Sequence, residues 1–379
     1  MINVKAFRIV FILIGMSYGV FVSRLPAVKI QAALDDAQVG FILLAVSCGA
    51  VTAFMCISAL LKRLQTRQII TAFQWALPAV MLTVGFLDFF WGLVVAAALM
   101  GFMIGAYDVT MNAQAILLEK HTKRRYLSSM HACYSVGGFL GAGFGAACAA
   151  LTMNAWQTFA AFLVVGYALV LWAGKGLLPD EAPETKGDNA DGQKSSGSVP
   201  FFTFVCGFFA LCAYIVEGTV GEWGGIYLVT AKGADEATAG LTYGLFSVTV
   251  AAFRLYGDKL RQRHSDFTIF GLGSLVAVIG MTTVLMSTHP WVSLFGYVLL
   301  GIGLFPTVPI ALSRAAAQEG VTAAKASAVV SFMGYTGLLV VPPVLGSIAK
   351  AYSLGTALLI PLVCCVALLL GSWTLRRKR

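Results

Sequence analysis

One apolar stretch follows another along this chain, each long enough to cross a membrane and with almost nothing between them. Crossing a hydrocarbon layer takes about 20 predominantly apolar residues. Such stretches begin near Phe7, Gln38, Ile69, Gly92, Ser129, Gln157, Phe201, Thr238, Thr268, Trp291, Ala326 and Leu354. Together they use most of the 379 residues and leave connections of a few residues each. Hydrophobic residues make up 59% of the chain and charged residues 11%, whereas soluble domains hold about 25% charged residues. A soluble core does not grow to absorb that excess. Stretches such as Leu93 to Met111 are apolar on every face, without the alternation of a membrane barrel. Helices satisfy their own backbone hydrogen bonds in lipid. The expected fold is an all-α polytopic membrane protein with 12 transmembrane helices.

The formal net charge of +9 raises the question of nucleic acid, and its distribution answers it. With the N-terminus inside, 22 of the 26 bases fall in cytoplasmic segments, running from Lys5 and Arg8 through Arg254, Lys259, Arg261 and Arg263 to the final Arg376–Arg379. Arg24, Lys29, Lys232 and Lys350 fall outside. This bias follows the positive-inside rule; it predicts a bacterial inner-membrane protein with both termini cytoplasmic and no nucleic-acid partner. The eight cysteines lie in apolar stretches without CxxC or Cys/His spacing, so buried thiols are expected, with neither metal nor disulfides. No HExxH, Walker loop or G-x-S-x-G is present. Neither an enzyme nor a cofactor site is expected, and any uphill movement of solute must draw on an ion gradient.

One segment breaks the composition. Residues 179–199 read PDEAPETKGDNADGQKSSGSV and hold five of the 17 acidic residues, too polar to bury an apolar face. It is expected to be a flexible cytoplasmic linker between residues 1–178 and 200–379. The two halves share a register: Asp35-Asp36-Ala37-Gln38-Val39-Gly40-Phe41 recurs as Asp235-Glu236-Ala237-Thr238-Ala239-Gly240-Leu241, and Leu99-Met100-Gly101 as Leu299-Leu300-Gly301, both displaced by 200. Each half is expected to be a six-helix bundle.

Two such repeats joined by a polar loop resemble the major facilitator superfamily over the whole chain. The resemblance implies two pseudo-symmetric bundles with a substrate site between them. Gly257-Asp258-Lys259-Leu260-Arg261-Gln262-Arg263 is similar to that superfamily's cytoplasmic loop signature, which implies Asp258, Arg261 and Arg263 as a cytoplasmic gate; a solvated basic loop is the alternative. Gly101-x-x-x-Gly105-x-x-Asp108-x-x-x-Asn112, followed by His131-Ala132-Cys133-Tyr134-Ser135-Val136-Gly137-Gly138, resembles the fucose-permease branch, in which an acid and an Asn at this spacing serve sugar binding and proton coupling. Val22 stands where that branch carries an acid.

A charge in mid-helix costs about 2.5–3.5 kcal/mol on insertion scales, so ionisable residues inside spans are functional candidates. Asp108 is placed near mid-membrane, with Asn112 one turn along the same face, to bind hydroxyls and carry a proton; a structural hydrogen bond to a neighbouring helix is the alternative. Glu217 and Glu222 are placed about 26 and 33 Å from the inner end of their helix, in the outer half. Arg24 is expected to pair with one of them or to clamp a substrate carboxylate or hydroxyl pair, unless it snorkels outward. His131 is read either as a proton relay to Asp108 or as part of a basic interfacial cluster. Tyr18, Tyr107, Tyr134, Tyr214 and Tyr335 are candidates for stacking on a sugar ring or for plain packing. Gly137, Gly141 and Gly145 should admit a second helix closely, and Pro306, Pro309, Pro342 and Pro343 should kink the tenth and eleventh helices. The expected function is secondary transport of a small polar solute, a sugar or related metabolite, by a monomer coupled to protons. An exporter and a non-transporting sensor remain open.

Overall fold

The computed structural model describes residues 4–61, 63–123, 126–173, 176–179, 199–319, 321 and 323–376. Residues 180–198 of the expected linker lie outside the described residues, as do Lys62, Arg124, Arg125, Lys175 and residues 377–379. Among the described residues there is no strand. The helices are α1 (Val4–Gln31), α2 (Asp36–Leu60), α3 (Thr66–Phe86), α4 (Phe90–Thr122), α5 (Leu127–Ala150) and α6 (Ala155–Ala173). Then follow α7 (Phe201–Lys232), α8 (Glu236–Arg263), α9 (Asp266–Met286), α10 (Pro290–Leu304), α11 (Thr307–Ala316), α12 (Ala323–Ala351), α13 (Leu354–Ala357) and α14 (Leu359–Gly371).

Eleven segments are long and apolar enough to span a membrane, counting α10 with α11, and α13 with α14, as one each. The twelfth helix, α8, is as long but more polar: Thr238, Thr242, Tyr243, Ser247 and Thr249 interrupt its apolar run and Arg254 closes it. Pro306 separates α10 from α11, as its missing N–H and fixed φ require, whereas α12 stays helical through Pro342 and Pro343. Five cysteines are buried, but Cys48 and Cys56 are exposed on α2 and Cys133 is half-buried, a departure from the expectation for all eight.

The repeat is written into the helix caps. Asp35 accepts from the Gln38 N–H at 2.8 Å at the start of α2, and Asp235 accepts from the Thr238 N–H at 2.9 Å at the start of α8. Each carboxylate meets orphan backbone donors and lies below the usual carboxylate range, Asp35 chiefly through its hydrogen bond from Lys350 and Asp235 through the Thr238 backbone. The far ends of α3 and α9 match as well. Gln31 Nε2 donates to Gly85 O at 2.8 Å and Leu87 O at 3.4 Å, and Lys232 Nζ donates to Leu285 O at 3.0 Å and Ser287 O at 2.5 Å. A side chain from the end of the first helix in each half thus satisfies the terminal carbonyls of the third.

Within the first half, α1 and α5 pack backbone to backbone. A Cβ on Gly15 or Gly19 would lie 2.1 or 2.3 Å from the carbonyl oxygen of Tyr134 or Gly138, and one on Gly137 or Gly141 would lie 2.2 Å from that of Ile12 or Met16. The expected close approach therefore has α1 as its partner, with glycines on both sides.

Two antiparallel pairs form the seam between the halves, α5 with α8 and α2 with α12. Along the first, Ala146 faces Gly240, Ala142 faces Gly244, and Gly138 faces Tyr243 and Ser247. Along the second, Asp36 faces Gly346, Gly40 faces Pro342, and Ser47 Oγ lies 3.5 Å from Leu338 O. Farther along the same registers the seam parts. His131 and Arg254 are both exposed, Val51 and Tyr335 are 42% and 54% exposed, and Phe332 is 75% exposed. The molecule is closed at the Arg24 end of the seam and cleft at the other.

Candidate functional site at the seam

Helix length fixes depth. Asp108 lies 18 residues after the start of α4 and 14 before its end, about 27 and 21 Å along the axis. Glu217 lies 16 residues after the start of α7 and 15 before its end, so it occupies the midpoint and not the outer half. Tyr18 is equally central on α1, 14 residues from the start and 13 from the end. Glu222, ten residues before the end of α7, is the one acid of the pair that stays toward the closed end.

These residues converge although they come from six helices. The hydroxyls of Tyr134 and Tyr335 lie within electrostatic reach of both Asp108 and Glu217. Tyr18 lies within reach of Glu222, Glu217, Tyr134 and Tyr243. The rings order the space: Tyr18 meets Tyr243 edge-on, with centroids 5.1 Å apart and planes at 81°, and Tyr214 leans on Tyr335 at 5.5 Å. One carboxylate from each half thus faces a shared set of phenols, at the level where the closed seam gives way to the cleft. Phenols offer a donor, an acceptor and an apolar face together, and the carboxylates accept hydroxyl hydrogen bonds or a proton.

Other expected residues are placed differently. Asn112 Nδ2 donates to Asp108 O at 2.9 Å and approaches Asp108 Oδ1 at 3.5 Å, so its amide is engaged on its own helix. Tyr107 is buried and donates to Val10 O at 3.1 Å, a packing residue outside the cluster. His131 is exposed in the cleft, edge-on to Phe11 at 5.6 Å; its charged neighbour is Arg254, and no hydrogen bond joins it to Asp108 among the described residues.

Arg24 pairs with neither Glu217 nor Glu222. It is 1% exposed, its Nη1 lies 2.8 Å from Glu236 on α8, and its Nη2 donates to Met153 O at 2.7 Å. The reason is register: Arg24 is only seven residues from the end of α1, level with the first turn of α8. Lys350 Nζ meets Asp35 Oδ2 at 2.9 Å, a second link from α12 to the first half, and Lys29 pairs with Asp36 beside it.

At the cleft end Arg261, one of the expected gate residues, stays within one half. Arg261 Nε lies 3.1 Å from Asp266 and Arg314 Nε 2.7 Å from the same carboxylate, while Arg261 Nη2 donates to Ser313 at 3.1 Å. This cluster ties α8, α9 and α11 together. Arg263 is exposed, and the Asp258 side chain lies outside the described residues. Among the described residues, no ion pair crosses the seam at this end.

Tyr243 in the cluster and Arg254 in the cleft beyond it are not among the residues that the sequence marks as site candidates. Arg254 had been grouped with the cytoplasmic bases, yet it lies nine residues inside α8, on the stripe that carries Tyr243 and Ser247 at i−11 and i−7. The polar residues of that stripe were the available signal, since an all-round apolar helix has no use for them in lipid.

The chain matches the Major Facilitator Superfamily over residues 8–342. It is 30% identical over 348 residues to an uncharacterized transporter of Sinorhizobium fredii, covering 90% of this chain and 89% of that one. It is 28% identical over 369 residues to an uncharacterized MFS-type transporter of Yersinia pestis, covering 96% and 92%. The crystal structure of the nucleoside transporter NupG shares the fold, with a TM-score of 0.75 over all of both chains at 11% identity. By sequence and by architecture, this chain belongs to the Major Facilitator Superfamily and is a multi-pass membrane transporter, not an enzyme.

Proposed function

We propose that the protein is a proton-coupled permease for a small polar solute, a sugar or related metabolite, working by alternating access between two six-helix bundles, residues 1–178 and 200–379, joined by a flexible linker at 179–199. The observation that carries this reading is the placement of Asp108 from one half and Glu217 from the other within electrostatic reach of the same tyrosines. A carboxylate at mid-helix is costly unless it does work. Two of them across a seam give each bundle a group whose protonation alters what it can bind. Asp108 is the protonation and binding residue, Glu217 its counterpart, and Tyr18, Tyr134 and Tyr335 bind the solute, with Asn112 and Glu222 at the margins. The fucose-permease-like motif on α4 supports the sugar reading. With the basic loops cytoplasmic, the chain sits in the inner membrane as a monomer and faces inward here.

The test is uptake into proteoliposomes under an imposed pH gradient. Asp108→Asn is expected to abolish proton-driven accumulation and to retain solute counterflow in part. Full accumulation by that variant removes Asp108 from the mechanism, and solute leaving against the gradient makes the protein an exporter.

A further inference from the structure

The cleft is electrically two-sided. Its deep end holds Asp108, Glu217 and Glu222, and its mouth holds cations on helices from both halves. Arg254 on α8 continues the α5–α8 register opposite His131, and its charge acts on that imidazole across the seam. Arg8, exposed on α1, acts on Cys133 two residues farther along α5. Three basic groups therefore rim the opening.

Arg254 differs from the other arginines for which the structure gives partners. Arg24 is held by Glu236 and Met153 O; Arg261 and Arg314 share Asp266. Arg254 is exposed to the cleft and makes no hydrogen bond or ion pair among the described residues. Tyr214 and Tyr243 lie within electrostatic reach of both Arg254 and Glu217, although those two charges do not meet. Two phenols thus stand within reach of both the cation and the carboxylate, each able to donate to and accept from a solute placed between them.

We propose that the transported solute carries a carboxylate, seated on Arg254 at the mouth of the cleft while its hydroxylated end reaches the Asp108–Glu217 tyrosine cluster. A sugar acid has that shape. A planar guanidinium grips a carboxylate through two parallel hydrogen bonds, and a site built for such a pair rejects the neutral analogue because its cation is then left unpaired. The inference rests on the polar-solute reading and narrows it.

The experiment measures binding to the full-length protein in nanodiscs, by calorimetry, for a panel of aldonates and uronates, gluconate and glucuronate among them, each beside its neutral polyol or aldose of equal length. The acids are expected to bind at least tenfold more tightly than their neutral partners, with an advantage that shrinks as salt rises. Arg254→Gln should bring the acid-to-neutral ratio close to one, and Arg254→Lys should keep part of it. Equal affinities for acids and neutrals, or a ratio unchanged in Arg254→Gln, overturns the inference and leaves the permease reading standing. Absence of binding across both classes overturns both.

Discussion

At the Arg24 end of the seam the halves meet through close glycine contacts and two crossing ion pairs; at the Arg254 end no ion pair crosses between them among the described residues. Helices α2, α5, α8 and α12 run toward both ends, with α1 adding Arg24 at the closed one, so the difference lies in what faces what. Near Gly40, Gly240 and Gly346 there is no side chain to hold the backbones apart. Near Val51, Tyr335, His131 and Arg254 there are large or charged groups on both sides. The ion pairs divide in the same way. Arg24–Glu236 and Lys350–Asp35 cross the seam at the closed end, whereas Asp266 and its two arginines hold only the second half together. One end is latched, and the other is braced within one bundle so that it can stand away from its partner.

The most disruptive test of that contrast is Gly346→Val. Its Cβ would lie 2.5 Å from Asp36 O and 3.1 Å from the Gly40 Cα; overpacking of this kind costs about 1–3 kcal/mol. Spin labels on α2 and α12 should show the closed-end distance lengthening, with the inward-facing population reduced about tenfold or more. An unchanged distance would mean that glycine packing does not set the closure.

Arg24→Met comes next. Glu236 would lose its partner and Met153 O its donor at a site where Arg24 is almost fully buried, and breaking such a pair costs on the order of 2–3 kcal/mol. The same labels should report partial opening at this end, with the exchange Arg24→Glu, Glu236→Arg recovering part of it. Arg261→Gln should separate bracing from latching: a loss of about 1 kcal/mol, read as a lower melting temperature, with label distances across the seam unchanged. A shift in those distances would make Arg261 part of a crossing gate after all.

The smallest effect belongs to Lys350→Ala, since exposed ion pairs are worth about 0–1 kcal/mol. Its pH dependence has a definite sign. Because Asp35 is held below its ordinary value of 3.8 by the hydrogen bond from Lys350, this link is fully present above that value and is lost only as the pH falls through the lowered one. Between pH 5 and 8 the latch should be constant, and any pH response of the closed end in that range must come from other groups.

The candidate site divides along similar lines. Asp108 and Glu217 were legible as acids in apolar stretches, because the expense of burying a charge needs no neighbours to be recognised. Arg254 was not. Its distance along the chain from Gly257 and Lys259 suggested a cytoplasmic loop, and only the length of α8 and its register against α5 turn the side chain into the cleft. Arg24 lies seven residues from the end of α1 and pairs with Glu236 on α8, whereas the sequence points to an acid on α7, since chain position says nothing about which helix lies opposite.

What the amino-acid order determined by itself is whatever depends on local chemistry. Apolar length fixed eleven spans, Asp35 and Asp235 cap matching helix starts, and the displacement of 200 carried the repeat. The tertiary structure decided what depends on distance between chain-remote groups: that α1 is the helix packed on the α5 glycines, that Glu236 is the counterion of Arg24, and that the seam is shut at one end and open at the other. Burial and capping act over a few residues of one helix, whereas pairing across a seam is set by how whole bundles lean, and that follows from many small contacts none of which is written in a single segment.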